Sequence, residues 1–534
     1  SLKRRQMQTE LFQDSNSDSY IWEISEINSA IRKKLETSFA RIWIRGEISN
    51  LKSYSSGHHY FQLKDSNSQL KAVLFKSDAR VIEKPLQEGS KYLIGDKSSG
   101  KAIVIDPRRD ISPYLHTAEL HGLSIEWILE THFHADFVSG HLELAKKTKA
   151  NIGLSSEANA EFDFTALDNG HLIQLGDITC EVLHTPGHTP ESMCVVVTDK
   201  SNGEDPWAIF TGDTMFIGDV GRPDLLVSIN RSAKELASEL YDSIHNVIMA
   251  LPDETLVFPG HGAGSSCGKN LSTATSSTIG DQRKSNYAVQ ATDRETFIKL
   301  VLEDQSPPPK YFSHDASLNQ KVRPLYDESD ILTPITLEDV PREAVFLDTR
   351  SPEEYAMGHI KNSINVGLAG RYAEFVGSLI SFETPIAIVA NPSEENEARM
   401  RLARVGLDNV IGYIPDLYNL LALSTTNTLQ SSRITCFETK SLLEKYSNLQ
   451  IVDVRNKSEI SDSGSIDNSI PIPLSQLHNS LHKLHTENPI IVYCASGYRS
   501  SIASSWLRHK GFSDVSELIG GFPAWKLCEA TTKD

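Results

Sequence analysis

Two histidines and an aspartate stand close together in THFHADFVSGH, residues 131–141. His132 and His134 follow the apolar run IEWILE, so we expect them at the carboxyl end of a strand, where α/β proteins place their sites. The spacing His-x-His-x-Asp-His can supply ligands to two metal ions, but its sixth position is Phe137 here. The segment therefore predicts one metal site beside a second that lacks a nitrogen ligand.

Three later turns carry side chains of the same ligand types. His188 lies in LHTPGHTPES, Asp213 in IFTGDTMF and His261 in VFPGHGAGSS, each directly after a β-rich apolar run. A single histidine in such a turn usually satisfies a local hydrogen bond. Four such turns in one chain instead favour a metal centre built from strand ends.

The order of these motifs resembles the metallo-β-lactamase superfamily over residues 91–315. More narrowly, THFHAD, TPGHTPES and GDTMFIGDVGRPDL resemble the persulfide dioxygenases, also called sulfur dioxygenases. The resemblance implies one Fe(II) per chain, held by His132, His188 and Asp213. A set of two histidines and one carboxylate leaves open positions for a thiolate and O₂.

Phe137 also departs from the motif of this family, which commonly keeps the last histidine. It leaves the three implied ligands untouched and gives the second position an apolar wall, which favours one redox metal over a binuclear hydrolase of the glyoxalase II type. We expect His134, Asp136 and His261 to surround the ligands and orient them.

Residues that could bind the substrate are less sharply defined. Arg222, in GDVGRPD, either anchors a substrate carboxylate or serves as a structural turn arginine. GHGAGSSCGKN and STIGDQR resemble the substrate-side loop of the rhodanese-fused branch of this family, which implies that Lys269 and Arg283 meet an anionic thiol carrier. Cys267 is either a small buried residue or a thiol that handles sulfur.

The last 200 residues contain a tandem repeat. VFLDTRSPEEYAMGHIKNSINV echoes QIVDVRNKSEISDSGSIDNSIPI, and the two intervals from Asp348 to Asp453 and from Gly406 to Gly511 are equal. We therefore predict two similar α/β units, at 335–430 and 432–534.

In the second repeat, IIVYCASGYRSS reads as a strand, a cysteine, a tight loop and a helix. Backbone N–H groups of such a loop favour a thiolate, and Arg499 adds positive charge. The segment resembles the rhodanese active-site loop, which implies that Cys494 carries a sulfane sulfur and that Asp453 and Arg455 brace the loop. The first repeat has Ala390 or Asn391 at the cysteine position, so we predict it to be non-catalytic and name residues 335–430 the silent unit.

The amino-terminal part suggests a different partner. Residues 1–19 are polar and predicted to be a disordered tail. Residues 20–88 resemble the OB-fold of the exonuclease VII large subunit, which implies single-stranded DNA binding. The similarity ends before the last strands of a full barrel, so a working module, a vestigial appendage and an assembly artefact all remain open. Six residues fit a nucleic-acid surface: Trp43, Arg45, Tyr60, Phe61, Lys64 and Lys71.

Bulk properties narrow the class further. A chain of 534 residues needs several domains, and its net charge of −18 argues against the whole chain being a polyanion binder. No apolar stretch is long enough to span a membrane. The polar start predicts no signal peptide, and six singly spaced cysteines predict reduced thiols in a cytoplasm.

Together these features predict a multidomain α/β protein with a partial OB-fold, a metallo-β-lactamase αββα sandwich and two rhodanese-like α/β domains. We expect a homo-oligomeric, iron-dependent persulfide dioxygenase for sulfide detoxification. It would oxidise a glutathione or coenzyme A type persulfide with O₂ to sulfite, and the rhodanese would convert sulfite to thiosulfate. The alternatives are a zinc thioester hydrolase and a single-stranded nucleic-acid-binding module with a decayed enzyme.

Overall fold

The structure, a computed structural model, describes residues 47–53, 59–64, 69–74 and 92–531, without 226–230, 263–264, 270, 273, 304, 306 and 425. The chain divides into two compact units, 1–88 and 89–534. In the first unit only the backbone of an antiparallel sheet is described, formed by β1 (Glu47–Ser53), β2 (His59–Lys64) and β3 (Gln69–Leu74). The predicted tail 1–19 lies outside the described residues.

The second unit begins with two sheets that face each other. The first has the order β4-β5-β6-β7-β8, antiparallel between β4 and β5 and parallel elsewhere, and the second has the order β16-β15-β12-β11-β10-β9. Their strands are β4 (Tyr92–Asp96), β5 (Lys101–Ile105), β6 (Ser124–Leu129), β7 (Asn151–Ser155), β8 (Thr165–Leu167), β9 (Leu172–Leu175), β10 (Ile178–His184), β11 (Met193–Asp199), β12 (Ala208–Gly212), a small hairpin of β13 (Met215–Phe216) and β14 (Asp219–Val220), β15 (Leu256–Pro259) and β16 (Ser277–Thr278).

Apolar side chains explain this arrangement. β5 and β12 are buried along almost their whole length, and side chains such as Ile103 and Val195 meet in one core between the sheets. Helices cover both outer faces, which completes the αββα sandwich. They are α1 (Ser112–Leu120), α2 (His141–Thr148), α3 (Ala233–Asp242), α4 (Ile279–Ser285), α5 (Arg294–Leu302) and α6 (Tyr311–Gln320), with a π turn (Ser243–Val247) and a 3-10 turn (Ile248–Ala250) after α3.

The silent unit has a parallel four-stranded sheet of order β19-β17-β20-β21. Helices flank the sheet, and a capping box of Ser351 and Glu354 starts the first of them. Its elements are β17 (Val345–Asp348), α7 (Pro352–Met357), β18 (His359–Ile360), β19 (Ile364–Asn365), α8 (Tyr372–Leu379), β20 (Ile386–Val389), α9 (Glu395–Ala403), β21 (Val410–Tyr413), α10 (Leu417–Leu423) and β22 (Thr428–Leu429).

The second repeat has a parallel five-stranded sheet of order β23-β27-β26-β24-β25. The same strand–helix alternation appears in it, as the 105-residue repeat predicts. Its elements are β23 (Ser432–Ile434), α11 (Cys436–Lys445), β24 (Gln450–Asp453), α12 (Lys457–Ser463), β25 (Ile470–Pro471), 3-10 turns (Leu474–Asn479 and Leu481–Lys483), β26 (Ile490–Tyr493), α13 (Tyr498–His509), β27 (Val515–Leu518) and α14 (Gly521–Thr531).

The cysteine expectation is partly wrong. Cys436 and Cys528 form a disulfide between α11 and α14, with their Cα atoms 6.4 Å apart. The remaining four cysteines are free and buried. Sequence spacing missed this pair because 92 residues separate two cysteines that the fold brings together. Among the described residues no helix has the length and apolar content to cross a membrane.

A buried ionic network joins the sandwich to the silent unit. Arg109, 2% exposed, donates to Glu143 Oε1 at 3.0 Å and, across the boundary, to Asp408 Oδ1 at 2.6 Å and Ala403 O at 3.0 Å. Arg404 forms a bidentate pair with Asp110, both bonds 2.8 Å. These contacts tie the sandwich to the silent unit within the compact unit 89–534.

We predict that Arg109→Ala lowers the free energy of unfolding by about 3–5 kcal/mol, because it removes a partner from the buried carboxylate of Glu143. Arg231→Ala is the control, since it breaks a partly exposed pair with Glu239, and should cost less than about 1 kcal/mol. Urea unfolding of the full chain measures both. Equal losses would show that the network does not stabilise the body.

Candidate functional site

Three predicted ligands converge at the edge of the sandwich. His132 follows β6, His188 lies in the turn after β10, and Asp213 directly follows β12. All three are at least 98% buried. Asp213 Oδ2 lies 3.9 Å from His132 Nε2 and 3.6 Å from His188 Nε2. In the described part of the chain this oxygen has no hydrogen-bond partner, as expected of an atom that a cation would engage.

The other nitrogen of each ring is held in place. His132 Nδ1 lies 2.9 Å from Thr131 Oγ1, and Asp106 accepts bonds from both the Thr131 amide and its hydroxyl. His188 Nδ1 donates to the Arg222 carbonyl oxygen at 2.9 Å. With a proton assigned to each Nδ1, both Nε2 atoms offer lone pairs toward Asp213.

Protonation states also suit a metal. Burial lowers the pKa of His132 well below its usual range and lowers that of His188. Burial raises the pKa of Asp213, but the facing imidazoles of His261, His132 and His188 outweigh it and hold the pKa well below its usual value. The set therefore presents two neutral imidazoles and one carboxylate, which is the form that binds a divalent ion.

Two glycines allow the ligand turns to approach so closely. A Cβ on Gly221 would lie 1.9 Å from the Asp213 carbonyl oxygen and 2.9 Å from His188 Nδ1. A Cβ on Gly260 would lie 2.7 Å from Asp213 Oδ1. Any side chain at either position would push the ligands apart.

Where a two-metal site would hold its second ion, His261 lies between two carboxylates. His261 Nδ1 donates to Asp213 Oδ1 at 2.7 Å, and its Nε2 donates to Asp136 Oδ2 at 2.8 Å. Burial lowers the pKa of His261, but the two carboxylates outweigh it and raise the pKa to about 10. A ring that donates through both nitrogens has no lone pair for a metal, and the Phe137 ring lies 6.3 Å away.

His134 packs beside the ligands with its ring centre 4.1 Å from that of His132. Its Nε2 lies 3.1 Å from Asp106 Oδ1 and 3.7 Å from Glu130 Oε2, so it belongs to a buried acidic cluster behind the metal ligands. This placement agrees with an orienting role, which stays a prediction.

The three candidate substrate cations are all engaged elsewhere. Arg222 is buried and forms two 2.7 Å bonds to Asp224, while its carbonyl holds His188. Lys269 Nζ donates to the Leu300 carbonyl. These contacts brace the local structure, and the substrate-binding roles of Arg222, Lys269 and Arg283 stay predictions.

Arg283 is likewise held by neighbouring groups. Its guanidinium donates to Asp253 Oδ1 and to the carbonyl oxygens of Met249 and Leu251, so it braces the end of a helical segment. Cys267 lies in a cluster with Asp136 and His261. Burial, with Asp136 and Asp213 nearby, raises the pKa of Cys267 well above its usual value, so this thiol is protonated. Both earlier interpretations of Cys267 stay open.

Sequence reasoning missed Asn319 and Arg323, beyond the predicted end of the sandwich at 315. Asn319 Nδ2 donates to the carbonyls of His134 and Phe137, and its Oδ1 accepts from the Ser139 amide, each at 2.8 Å. Arg323 binds Glu143 with two bonds. No local motif marks either residue, because their contacts form only when α6 and the residues after it fold back on residues 131–141, the metal loop.

The second predicted site lies at the end of β26. Cys494 is 1% exposed, and its Sγ accepts a hydrogen bond from the Gly497 amide at 3.1 Å. Gly497 has φ of 108°, a left-handed conformation that favours glycine. Arg499 forms a bidentate pair with Glu459 at 2.6 and 2.7 Å, so its positive charge is paired with a carboxylate at the edge of the cysteine loop.

Both repeats contain the same brace. Asp453 and Arg455 form a buried pair, and Arg455 donates to the Gly464 carbonyl; Asp348 and Arg350 do the same with Gly358. Strand register places Val389 opposite Asp348 and Tyr493 opposite Asp453. The cysteine position of the silent unit is therefore Ala390, which has no nucleophile.

The candidate nucleic-acid residues cannot be placed as side chains. Trp43 and Arg45 lie outside the described residues. Tyr60, Phe61 and Lys64 lie on β2, and Lys71 lies on β3, with only their backbone described. Their proposed contacts to DNA stay predictions.

We predict that Thr131→Val weakens metal binding by about 10–100-fold, because His132 loses the hydroxyl that fixes its ring. Thr179→Val is the control: it removes another buried threonine hydroxyl, which bonds only Gln174 among the described side chains. Metal titration by competition with a chromophoric chelator measures both. An unchanged affinity in Thr131→Val would refute the orienting role.

Comparisons with known families agree with this architecture. The metallo-beta-lactamase superfamily model matches residues 88–261, the rhodanese-like domain model matches 336–418 and 438–528, and the model of an OB-fold nucleic acid binding domain matches 22–99. The predicted multidomain fold class is thereby confirmed.

Individual relatives cover parts of the chain. Mitochondrial persulfide dioxygenase ETHE1 from Mus musculus is 30% identical over 230 residues, 41% of this chain and 78% of that protein. Cytoplasmic hydroxyacylglutathione hydrolase from Arabidopsis thaliana is 36% identical over 180 residues, 33% of this chain; the chain spans 64% of its length.

The solved structure of a metallo-beta-lactamase from Staphylococcus aureus is 36% identical, with a TM-score of 0.57, and covers 60% of this chain and 94% of its own. The predicted resemblance to persulfide dioxygenases fused to rhodaneses is confirmed at the level of family. The chain belongs to the metallo-beta-lactamase superfamily and joins such a domain to two rhodanese-like domains.

Proposed function

We propose that the protein is an iron-dependent persulfide dioxygenase that feeds a rhodanese. The main support is the arrangement around Asp213, whose Oδ2 faces two imidazole nitrogens while its Oδ1 is bonded to His261. His132, His188 and Asp213 would hold one Fe(II), which when bound brings O₂ and a thiolate together.

The surrounding residues define what the site does for its reactants. Asp213, Asp136 and the doubly bonded His261 form a rigid charged row on one side. Phe137 and Phe216, both at least 92% buried, have ring centres 6.3 Å from that of His261 and would keep water out of this part of the site. The overall reaction balances as R-S-SH + O₂ + H₂O giving R-SH, sulfite and two protons.

Cys494 would then carry out sulfur transfer. Its thiolate attacks the outer sulfur of a persulfide, R-SH leaves, and a Cys494 persulfide forms. Sulfite attacks the outer sulfur of that persulfide, which releases thiosulfate and regenerates the thiolate. The Gly497 amide, 3.1 Å from Sγ, stabilises the anionic sulfur at both stages.

The proposal includes a carrier of the glutathione or coenzyme A type, a homo-oligomeric protein and a cytoplasmic location. Because Cys436 and Cys528 form a disulfide, the cysteines do not favour that location.

We predict that His188→Ala and Asp213→Ala abolish both iron retention and oxygen uptake with a persulfide substrate, because each supplies a third of the ligand set. Phe137→Ala should retain close to one iron per chain, since Phe137 contributes no donor. Metal analysis and an oxygen electrode measure these outcomes. Two zinc ions per chain with thioester cleavage would instead support the hydrolase alternative.

We predict that Cys494→Ser leaves oxygen uptake within a few-fold of wild type and shifts the product from thiosulfate to sulfite, because a hydroxyl cannot form a persulfide. The three proposed ligands His132, His188 and Asp213 are unchanged in this variant. Ion chromatography of the two sulfur anions decides the outcome. Enzymatic thiosulfate at the wild-type ratio would refute the role of Cys494.

A further inference from the structure

The loop that holds Cys494 is bonded to the silent unit. Tyr498, the residue after Gly497, donates its Oη–H to the Gly367 carbonyl at 2.7 Å. A Cβ on Gly367 would lie 3.2 Å from the Tyr498 ring, and Gly370 also borders that ring. The silent unit therefore forms a close-fitting wall against the first residue of α13.

A second set of contacts lies one turn further along α13. Ser501 Oγ donates to Asn365 Oδ1 at 2.6 Å, and the backbone N–H of Asn365 donates to Ser505 Oγ at 2.9 Å. All three residues are fully buried. Asn365 Nδ2 is itself fixed by the carbonyls of Asp348 and Arg350. A buried polar contact of this kind has a defined geometry, since each donor needs its partner.

These anchors lie next to the backbone that faces the sulfur. Gly497 supplies the N–H to Cys494 Sγ, and its left-handed backbone has the greatest conformational freedom in the loop. Tyr498 fixes the chain immediately after that point, and Ser501 fixes it one turn later. If these contacts served only to dock the two units, they would have no reason to lie beside the cysteine loop.

We propose that the silent unit positions the Cys494 loop, with Tyr498 and Ser501 as positioning residues that act through Gly367 and Asn365. The inference rests on the proposed nucleophilic role of Cys494. Without the bond from Tyr498, the Gly497 amide samples orientations away from the sulfur, and the thiolate becomes less reactive.

The test uses the full chain and the Tyr498→Phe variant, which loses one hydroxyl. Iodoacetamide alkylation of Cys494 at fixed pH, followed by mass spectrometry of its peptide, should slow by about 2–10-fold, the range that one hydrogen bond supports. Thiosulfate turnover should fall by a similar factor with KM unchanged, and oxygen uptake should stay at the wild-type rate.

Tyr355→Phe is the matched control. Tyr355 Oη also donates to a buried carbonyl, that of Ser363 at 2.9 Å within the silent unit, and its contact with α13 is at Arg508, at the end of that helix away from the cysteine loop. Its loss should lower stability similarly and leave alkylation unchanged. Ser501→Ala should slow alkylation, whereas Ser504→Ala should not, because Ser504 Oγ bonds the Ser500 carbonyl of its own helix.

Wild-type alkylation in Tyr498→Phe, or equal slowing in Tyr355→Phe, would overturn the proposal. A Cys494 that resists alkylation in the wild type would also overturn it, since a sealed thiol has no reactivity to tune. Failure of the proposed function is distinguishable: alkylation would respond as expected while the wild type formed no thiosulfate.

Discussion

The arrangement around the metal site depends on the burial of one negative charge. Asp213 is 1% exposed, and a buried carboxylate is costly unless both oxygens face positive or donating groups. His261 satisfies Oδ1, and Oδ2 faces the Nε2 atoms of His132 and His188. A cation between these three atoms would complete the balance, so the fold around Asp213 is organised for metal binding.

The same constraint accounts for the groups that surround Phe137, where the motif has its last histidine. In a two-metal site a second cation would neutralise Asp136 and Asp213. Here the protonated ring of His261 lies between those carboxylates and carries the positive charge. Phe137 needs only to fill space beside it. In the proposed single-metal site, the ring of His261 takes the place of a second cation between Asp136 and Asp213.

Prediction from the sequence and the structure agree for the site residues that directly follow a strand. His132, His188 and Asp213 could be predicted because each follows an apolar strand of the sandwich, and Cys494 because its loop motif is contiguous. The substrate roles of Lys269 and Arg283 stay predictions, and the sequence gives no sign of the carbonyls that both side chains reach after folding. Asn319 could not be predicted, because it lies 180 residues from Ser139, whose backbone amide donates a hydrogen bond to it.

The silent unit keeps the fold of the second repeat although it has alanine at the cysteine position. Its Asp348–Arg350 brace is intact although Ala390 has replaced the nucleophile, because the brace stabilises the sheet and not the sulfur. Its Arg404 carbonyl accepts a hydrogen bond from the Val138 amide in the metal loop, and its Gly367 carbonyl accepts one from Tyr498 in the cysteine loop. The silent unit therefore contacts both loops that carry the proposed sites through backbone carbonyls, and it contacts α13 and Asp110 through the side chains of Asn365 and Arg404. None of these contacts needs a cysteine, so all of them are compatible with alanine at position 390.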